Sequence, residues 1–172
     1  MKPAAFDFVR PESLDEAVDT LHQAGSEARV LAGGQSLLPM LNMRLARPAV
    51  LIDIMRLPKL RTIDERRGEV VVGAGVRQAA LEAWPDLASK LPLLSRAIGW
   101  IGHVQTRARG TVCGSIAHAD PSAELPLALV ALSGSVRLRS KKTSRTVKAD
   151  DFFLGMMSTD LQEGEMIEAV SF

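Results

Sequence analysis

Leu31-Ala32-Gly33-Gly34-Gln35-Ser36-Leu37-Leu38 decides how this chain folds. An apolar run, Ala28 to Leu31, reads as a buried strand and feeds two adjacent glycines. Two polar residues follow, and Leu37 to Arg44 has the spacing of a short apolar helix. Glycine allows positive φ and lets the backbone come close to a ligand. The start of a helix offers unpaired N–H groups that suit a phosphate, and Ser36 adds a hydroxyl donor. On its own, so short a motif also describes a tight strand-to-helix turn.

Outward from this stretch, Phe6 to Arg10 reads as a strand. Ser13 with Glu16 three residues later makes a capping box, Leu14, Ala17, Val18 and Leu21 recur at helical spacing, and Gly25 ends the helix. Val50 to Ile54 is a further apolar strand. The first lobe therefore reads β, α, β, α, β over 1–57.

The second lobe is placed at 58–172. Leu60 to Ile63 and Glu69 to Val72 read as a hairpin across 65–68. Helices are expected at Gln78 to Trp84, Pro92 to Ile98 and Leu125 to Leu132, with a short one at Asp150 to Phe153. Strands are expected at Ser135 to Arg139, Thr146 to Lys148 and Met166 to Phe172. Lys141, Lys142 and Arg145 are assigned to a solvated turn between two of them. A chain whose last residues read as a strand is expected to be a piece of something longer. The fold class is α+β, two-lobed.

A second loop runs from Arg109 through Gly110-Thr111-Val112-Cys113-Gly114-Ser115 to His118-Ala119-Asp120-Pro121-Ser122-Ala123-Glu124. Its small residues expose backbone N–H groups in the manner of an anion nest. Asp120 and Glu124 can accept hydrogen bonds from sugar or ribityl hydroxyls. The bland alternative is a surface connection between helices. Two such loops in one small domain would grip a diphosphate from both sides through main-chain amides, with no lysine clamp required.

Composition narrows the function classes. The net charge is +1, and aromatics make up 4% with no tyrosine, so neither an electrostatic nor a stacking signal for nucleic acid is present. There is one cysteine, Cys113, which fits a reducing compartment. No run approaches a membrane span, and the N-terminus has no apolar signal core, so a cytoplasmic location is expected. Val70 to Val76 resembles the front of a dinucleotide fingerprint, but Gln78 stands where a third glycine belongs, and a hairpin strand ending in a turn is the simpler reading. Three histidines and one cysteine have no zinc spacing, and Cys113 with His118 has no third orienting group, so neither a metal site nor a nucleophilic pair is expected. Trp84, Trp100, Met40, Met43, Met156 and Met157 are read as packing residues.

AGGQSLLPMLNMRL (32–45) and TRARGTVCGSIAHADPSAELP (106–126) resemble the two flavin-binding signatures of the medium, FAD-binding subunit of molybdenum hydroxylases. That group includes carbon monoxide dehydrogenase and the flavin domain of xanthine dehydrogenase. FDFVRPESLDEAVDTL (6–21) and DFFLGMMSTDLQEGEMI (151–167) resemble further parts of the same family, so the likeness covers essentially the whole chain. It implies the two-lobed PCMH-type flavin fold, without the family's C-terminal domain, and FAD as cofactor. Ala32, Gly33, Gly34, Gln35 and Ser36 would wrap the diphosphate, and Thr111, Val112, Cys113, Gly114 and Ser115 would complete the cradle. Glu124 would bond the sugar, Leu161 would lie near one end of the FAD, and Ile101 stands where relatives place an aromatic against the flavin. Cys113-Gly114 departs from the family's glycine pair, and a cysteine forced to positive φ there would cost about 1 kcal/mol or more.

The implied function is electron transfer. A molybdopterin large subunit oxidises the substrate, an iron–sulfur small subunit carries electrons to FAD in this chain, and NAD, a quinone or another acceptor receives them. No catalytic acid or base is assigned. Two alternatives stand beside it: a non-catalytic assembly domain whose cradle Cys113 has weakened, and a stand-alone flavin oxidoreductase, for which Cys113 is the one candidate thiol for a covalent flavin link.

Overall fold

The computed structural model describes residues 2–172. The first lobe contains β1 (Asp7–Val9), α1 (Leu14–Ala24), β2 (Ala28–Leu31), α2 (Leu37–Asn42) and β3 (Val50–Asp53). The three strands form a parallel sheet in the order β1-β3-β2, with Phe8 opposite Leu51 and Val30 opposite Ile52. Local chemistry accounts for α1. Ser13 Oγ accepts the Glu16 N–H at 3.1 Å, and the Glu16 carboxylate reaches back to the Glu12 N–H at 2.7 Å. Ala17, Val18 and Leu21 are buried, and Gly25 stops the helix at φ 54°.

The second lobe opens with β4 (Ile63–Arg66) and β5 (Glu69–Gly73). The two residues between them, Arg67 and Gly68, have φ 56° and 86°. Paired positive φ values are what a two-residue hairpin turn requires, so the first strand begins three residues later than its sequence suggests. There follow α3 (Gln78–Glu82), α4 (Leu87–Lys90), α5 (Pro92–Ile98), α6 (Val104–Arg109), α7 (Val112–His118) and α8 (Glu124–Ala131). The chain then runs through β6 (Ser135–Arg139), β7 (Ser144–Lys148), α9 (Ala149–Phe152), β8 (Phe153–Gly155), β9 (Ser158–Thr159) and β10 (Met166–Ser171).

An antiparallel sheet runs β4-β5-β10-β6-β7. The last strand is its centre: Val170 lies opposite both Val72 and Val136. One continuous core takes Ile52 and Ile54 from the first lobe and Leu81, Leu94, Ile98, Ile116, Leu129 and Phe152 from the second. The class is mixed α and β, with one parallel sheet, one five-stranded antiparallel sheet and the two-stranded β8-β9 hairpin. No helix among the described residues is long and apolar enough to cross a membrane.

Three expectations are overturned. Met43, Met156 and Met157 are exposed rather than core, because the last two form the uncovered tip of the β8–β9 hairpin. Trp100 is 81% exposed on the turn after α5, whereas Trp84 packs against the core. Arg145 is not in the solvated turn. That turn is closed by Ser140 and Thr143, and Arg145 lies in β7, where it binds both Glu165 oxygens at 2.8 and 2.7 Å and the Asp160 carbonyl at 2.6 Å.

Candidate functional site

The first glycine loop leaves β2 and enters α2. Gly34 adopts φ 72°, a backbone conformation that calls for glycine, while a Cβ there would meet only the movable end of Leu38. The Gly34 carbonyl accepts the Leu38 N–H at 3.0 Å, and the Ser36 carbonyl accepts the Met40 N–H at 3.3 Å. The N–H groups of Gly33, Gly34, Gln35 and Ser36 have no acceptor among the described residues. The Ser36 hydroxyl makes no capping bond, and Gln35 Nε2 reaches only the Gly33 carbonyl, at 3.4 Å. Four successive free amides are a donor set of the kind that binds oxyanions.

Gly33 is where the two glycine segments meet. A Cβ on it would lie 2.4 Å from the Arg109 carbonyl oxygen and 2.6 Å from Gly110 Cα. The second segment is held in turn by the stretch after β5. Gln78 N–H donates to the Gly110 carbonyl at 2.9 Å, Val112 N–H donates to the Val76 carbonyl at 3.1 Å, and Arg77 pairs with Thr111 in an isolated antiparallel bridge. The glycines before Gln78 thus end a hairpin strand, as its sequence suggests, and Val76 to Gln78 just after them brace the second segment.

That segment is not an open loop past Thr111. Residues 112–118 form α7, because Thr111 Oγ1 caps the helix by accepting the Gly114 N–H at 3.1 Å, while Val112 and Ile116 are fully buried. A Cβ on Gly114 would stand 2.6 Å from Thr111 Oγ1. The Ser115 N–H goes to the Thr111 carbonyl at 3.2 Å. The amides of Val112, Gly114 and Ser115 are therefore committed within the chain. Those of Thr111 and Cys113 have no acceptor among the described residues.

Cys113 has helical backbone and is absent from the positive-φ positions, so the anticipated strain does not arise. Its Sγ lies 3.6 Å from the Val72 carbonyl, and burial pushes the thiol up to about 12. A buried, protonated thiol is a poor nucleophile, which removes the basis for a covalent flavin link there. With no strain at 113, the argument that cysteine weakens the cradle also falls.

The remaining predicted residues lie in different settings. Ile101 is buried in the core, and its carbonyl accepts from Arg107 Nη1 at 3.0 Å. Asp120 Oδ1 accepts the Ser122 N–H and hydroxyl at 2.9 and 2.7 Å, and these bonds hold its carboxyl below the usual carboxylate range. Asp120 thus shapes its own turn. Glu124 opens α8, half-buried, and Leu161 packs partly against the core beside the Arg145 clamp.

A cleft of about 260 Å³ opens beside the junction of the two glycine segments, lined by Ala32, Gly33 and Gly34 together with Phe8, Asp53, Arg77 and Arg109. The last four were not singled out from sequence. Arg109 opens the second loop and Arg77 follows the glycine turn after β5. Nothing in their local pattern separates them from the chain's other surface arginines. The cleft's polar groups suit an anion with several oxygens, such as a diphosphate.

The profile of the family described as "FAD binding domain in molybdopterin dehydrogenase" matches residues 4–172. The chain is 44% identical over 167 residues to the carbon monoxide dehydrogenase medium chain of Hydrogenophaga pseudoflava, covering 97% of this chain and 58% of that protein. It is 40% identical over 171 residues to the 6-hydroxypseudooxynicotine dehydrogenase complex subunit alpha of Paenarthrobacter nicotinovorans, covering 99% and 58%. Among solved structures, quinoline 2-oxidoreductase from Pseudomonas putida 86 superposes with a TM-score of 0.96 at 37% identity, covering 100% of this chain and 60% of that one. The chain spans less than two thirds of the length of these relatives.

Proposed function

The chain belongs to the family of FAD-binding domains of molybdopterin dehydrogenases, and from that premise we propose that it carries the flavin of a molybdenum hydroxylase and relays electrons to an external acceptor. Its cofactor is FAD. The residues fit that group: Gly33 lets the two glycine segments meet in backbone contact, and the consecutive amides from Gly33 to Ser36 have no acceptor among the described residues.

In this reading the amides of Gly33 to Ser36 and of Thr111 and Cys113 hold the diphosphate, with the Ser36 hydroxyl as a further donor. Ala32 forms part of the cleft wall, while Val112, Gly114 and Ser115 build the turn that aims the other donors. Glu124 accepts from the sugar hydroxyls, because Asp120 is already occupied by Ser122. Leu161 lies toward one end of the cofactor, and Ile101 supports the core behind the site. FAD, when bound, supplies the redox chemistry between the iron–sulfur clusters of a small subunit, fed by a molybdopterin large subunit, and an acceptor such as NAD or a quinone. The protein binds and orients it, and no side chain is required as acid or base.

The observation that carries this reading is the contact of Gly33 with Arg109 and Gly110, which brings the two signatures to one place. Purified chain mixed with FAD and freed of excess ligand should retain the visible flavin absorption. A colourless product with unchanged thermal stability would overturn the assignment.

A further inference from the structure

We propose that Arg77 and Arg109 form a cationic clamp over the diphosphate, adding a side-chain contribution to a cradle otherwise made of main-chain amides; this rests on the flavin reading above. The two arginines come from segments that pair with each other. Arg77 lies opposite Thr111 in the antiparallel bridge, and Gln78 and Gly110 share a hydrogen bond next to it. Arg77 Nη1 also donates to the Ala108 carbonyl at 3.2 Å, the residue before Arg109. Both positions are thereby tied to one rigid strut, and Arg109's own carbonyl rests against Gly33.

Both residues line the same cleft as Gly33 and Gly34. Neither makes an ion pair among the described residues, whereas Arg107, two residues earlier in the same helix as Arg109, is bound to Glu82 at 2.9 Å and to the Ile101 carbonyl. Asp53 is the one carboxylate in the lining. It is already engaged by Arg10 at 3.4 Å and by the Met55 N–H at 3.0 Å, which offsets its repulsion of an anion. Guanidinium groups present a planar fork of donors that matches phosphate oxygens. Two of them beside the free amides of Gly33 and Gly34 make a site selective for a doubly charged diphosphate.

The test is FAD titration of the full 172-residue chain at low and high salt, comparing the unsubstituted protein with Arg109→Gln, Arg77→Gln and the corresponding lysine variants. A charged hydrogen bond to phosphate predicts about a tenfold or greater loss of affinity for Arg109→Gln at low salt. Salt should weaken that variant less than the parent, because one screened attraction is gone, and Arg109→Lys should recover part of both effects. Arg109→Gln is the cleaner variant, since Arg77 also bonds Ala108. Unchanged affinity overturns the clamp, as does a loss that is equally salt-dependent and not relieved by lysine, which would mark a structural role. If the unsubstituted chain leaves FAD unbound, the flavin reading falls and the clamp falls with it.

Discussion

Gly33 and Gly110 are packed so closely that a single added methyl on the first would sit 2.6 Å from the Cα of the second. Real carbon atoms do not approach to that distance, so the contact exists only because position 33 has no side chain. The obstacle is backbone, which cannot swing aside as a flexible side chain can. Gly33→Ala should therefore part the two segments, costing about 2 kcal/mol in urea unfolding and abolishing retention of FAD. Gly34→Ala, strained at its positive φ, should cost about 1 kcal/mol. Wild-type stability and wild-type FAD retention in Gly33→Ala would mean the junction is looser than described.

Restoring a glycine at 113 should not improve the cradle. Cys113 is helical and buried against β5, so Cys113→Gly removes a packed side chain and weakens a helix without relieving strain. A loss of about 2 kcal/mol is expected, with no gain in FAD affinity by titration. The native thiol should also resist alkylation at neutral pH until the protein is unfolded, as burial keeps it protonated.

Thr111 and Gly114 act as a pair. Thr111→Val keeps the shape but deletes the cap acceptor, leaving the Gly114 amide without its partner. This should cost about 1 kcal/mol. Gly114→Ala places a methyl 2.6 Å from Thr111 Oγ1 and should cost at least as much. Combining the two substitutions should cost less than their sum, because the valine has already given up the bond that the alanine disrupts. Strict additivity in chemical denaturation would show that the cap and the glycine are independent.

Acid should act through Arg145. Its guanidinium hydrogen-bonds the Glu165 carboxylate, whose side chain is only 9% exposed, and holds that carboxyl below its ordinary range. A carboxylate depressed in the folded state adds stability above its unfolded pKa of about 4.3 and loses it as pH falls through the folded value. Arg145→Gln should cost about 2 kcal/mol at neutral pH. Its stability should then fall less steeply than that of the parent as the pH is lowered below about 5. Parallel stability curves for the two proteins between neutral and acid pH would rule out the clamp as the source.

Much of the architecture was legible because its causes are local. Ser13 with Glu16 marks the start of α1, Gly25 its end, and the strand–Gly33-Gly34–helix order holds from Ala28 to Asn42. The helix at 112–118 was not legible. Its Val, Cys, Gly and Ser are weak or unfavourable in isolated helices, and it forms because Thr111 caps it and the core receives Val112, Cys113 and Ile116. The exposed methionines and Arg145 were misjudged for a related reason: side-chain type does not say which layer, if any, will lie above a hairpin tip or which acid a strand will meet.

The sequence by itself determined the elements whose stabilising partners lie a few residues apart, and it placed two glycine-bearing signatures that resemble one flavin-binding family. Only the tertiary structure decided that Gly33 rests on Arg109 and Gly110, that the turn after β5 braces them, and that Arg77 and Arg109 line the same cleft. Those relations depend on how two sheets are held by one shared core, and contacts between segments distant in the chain are fixed by packing that no local pattern encodes.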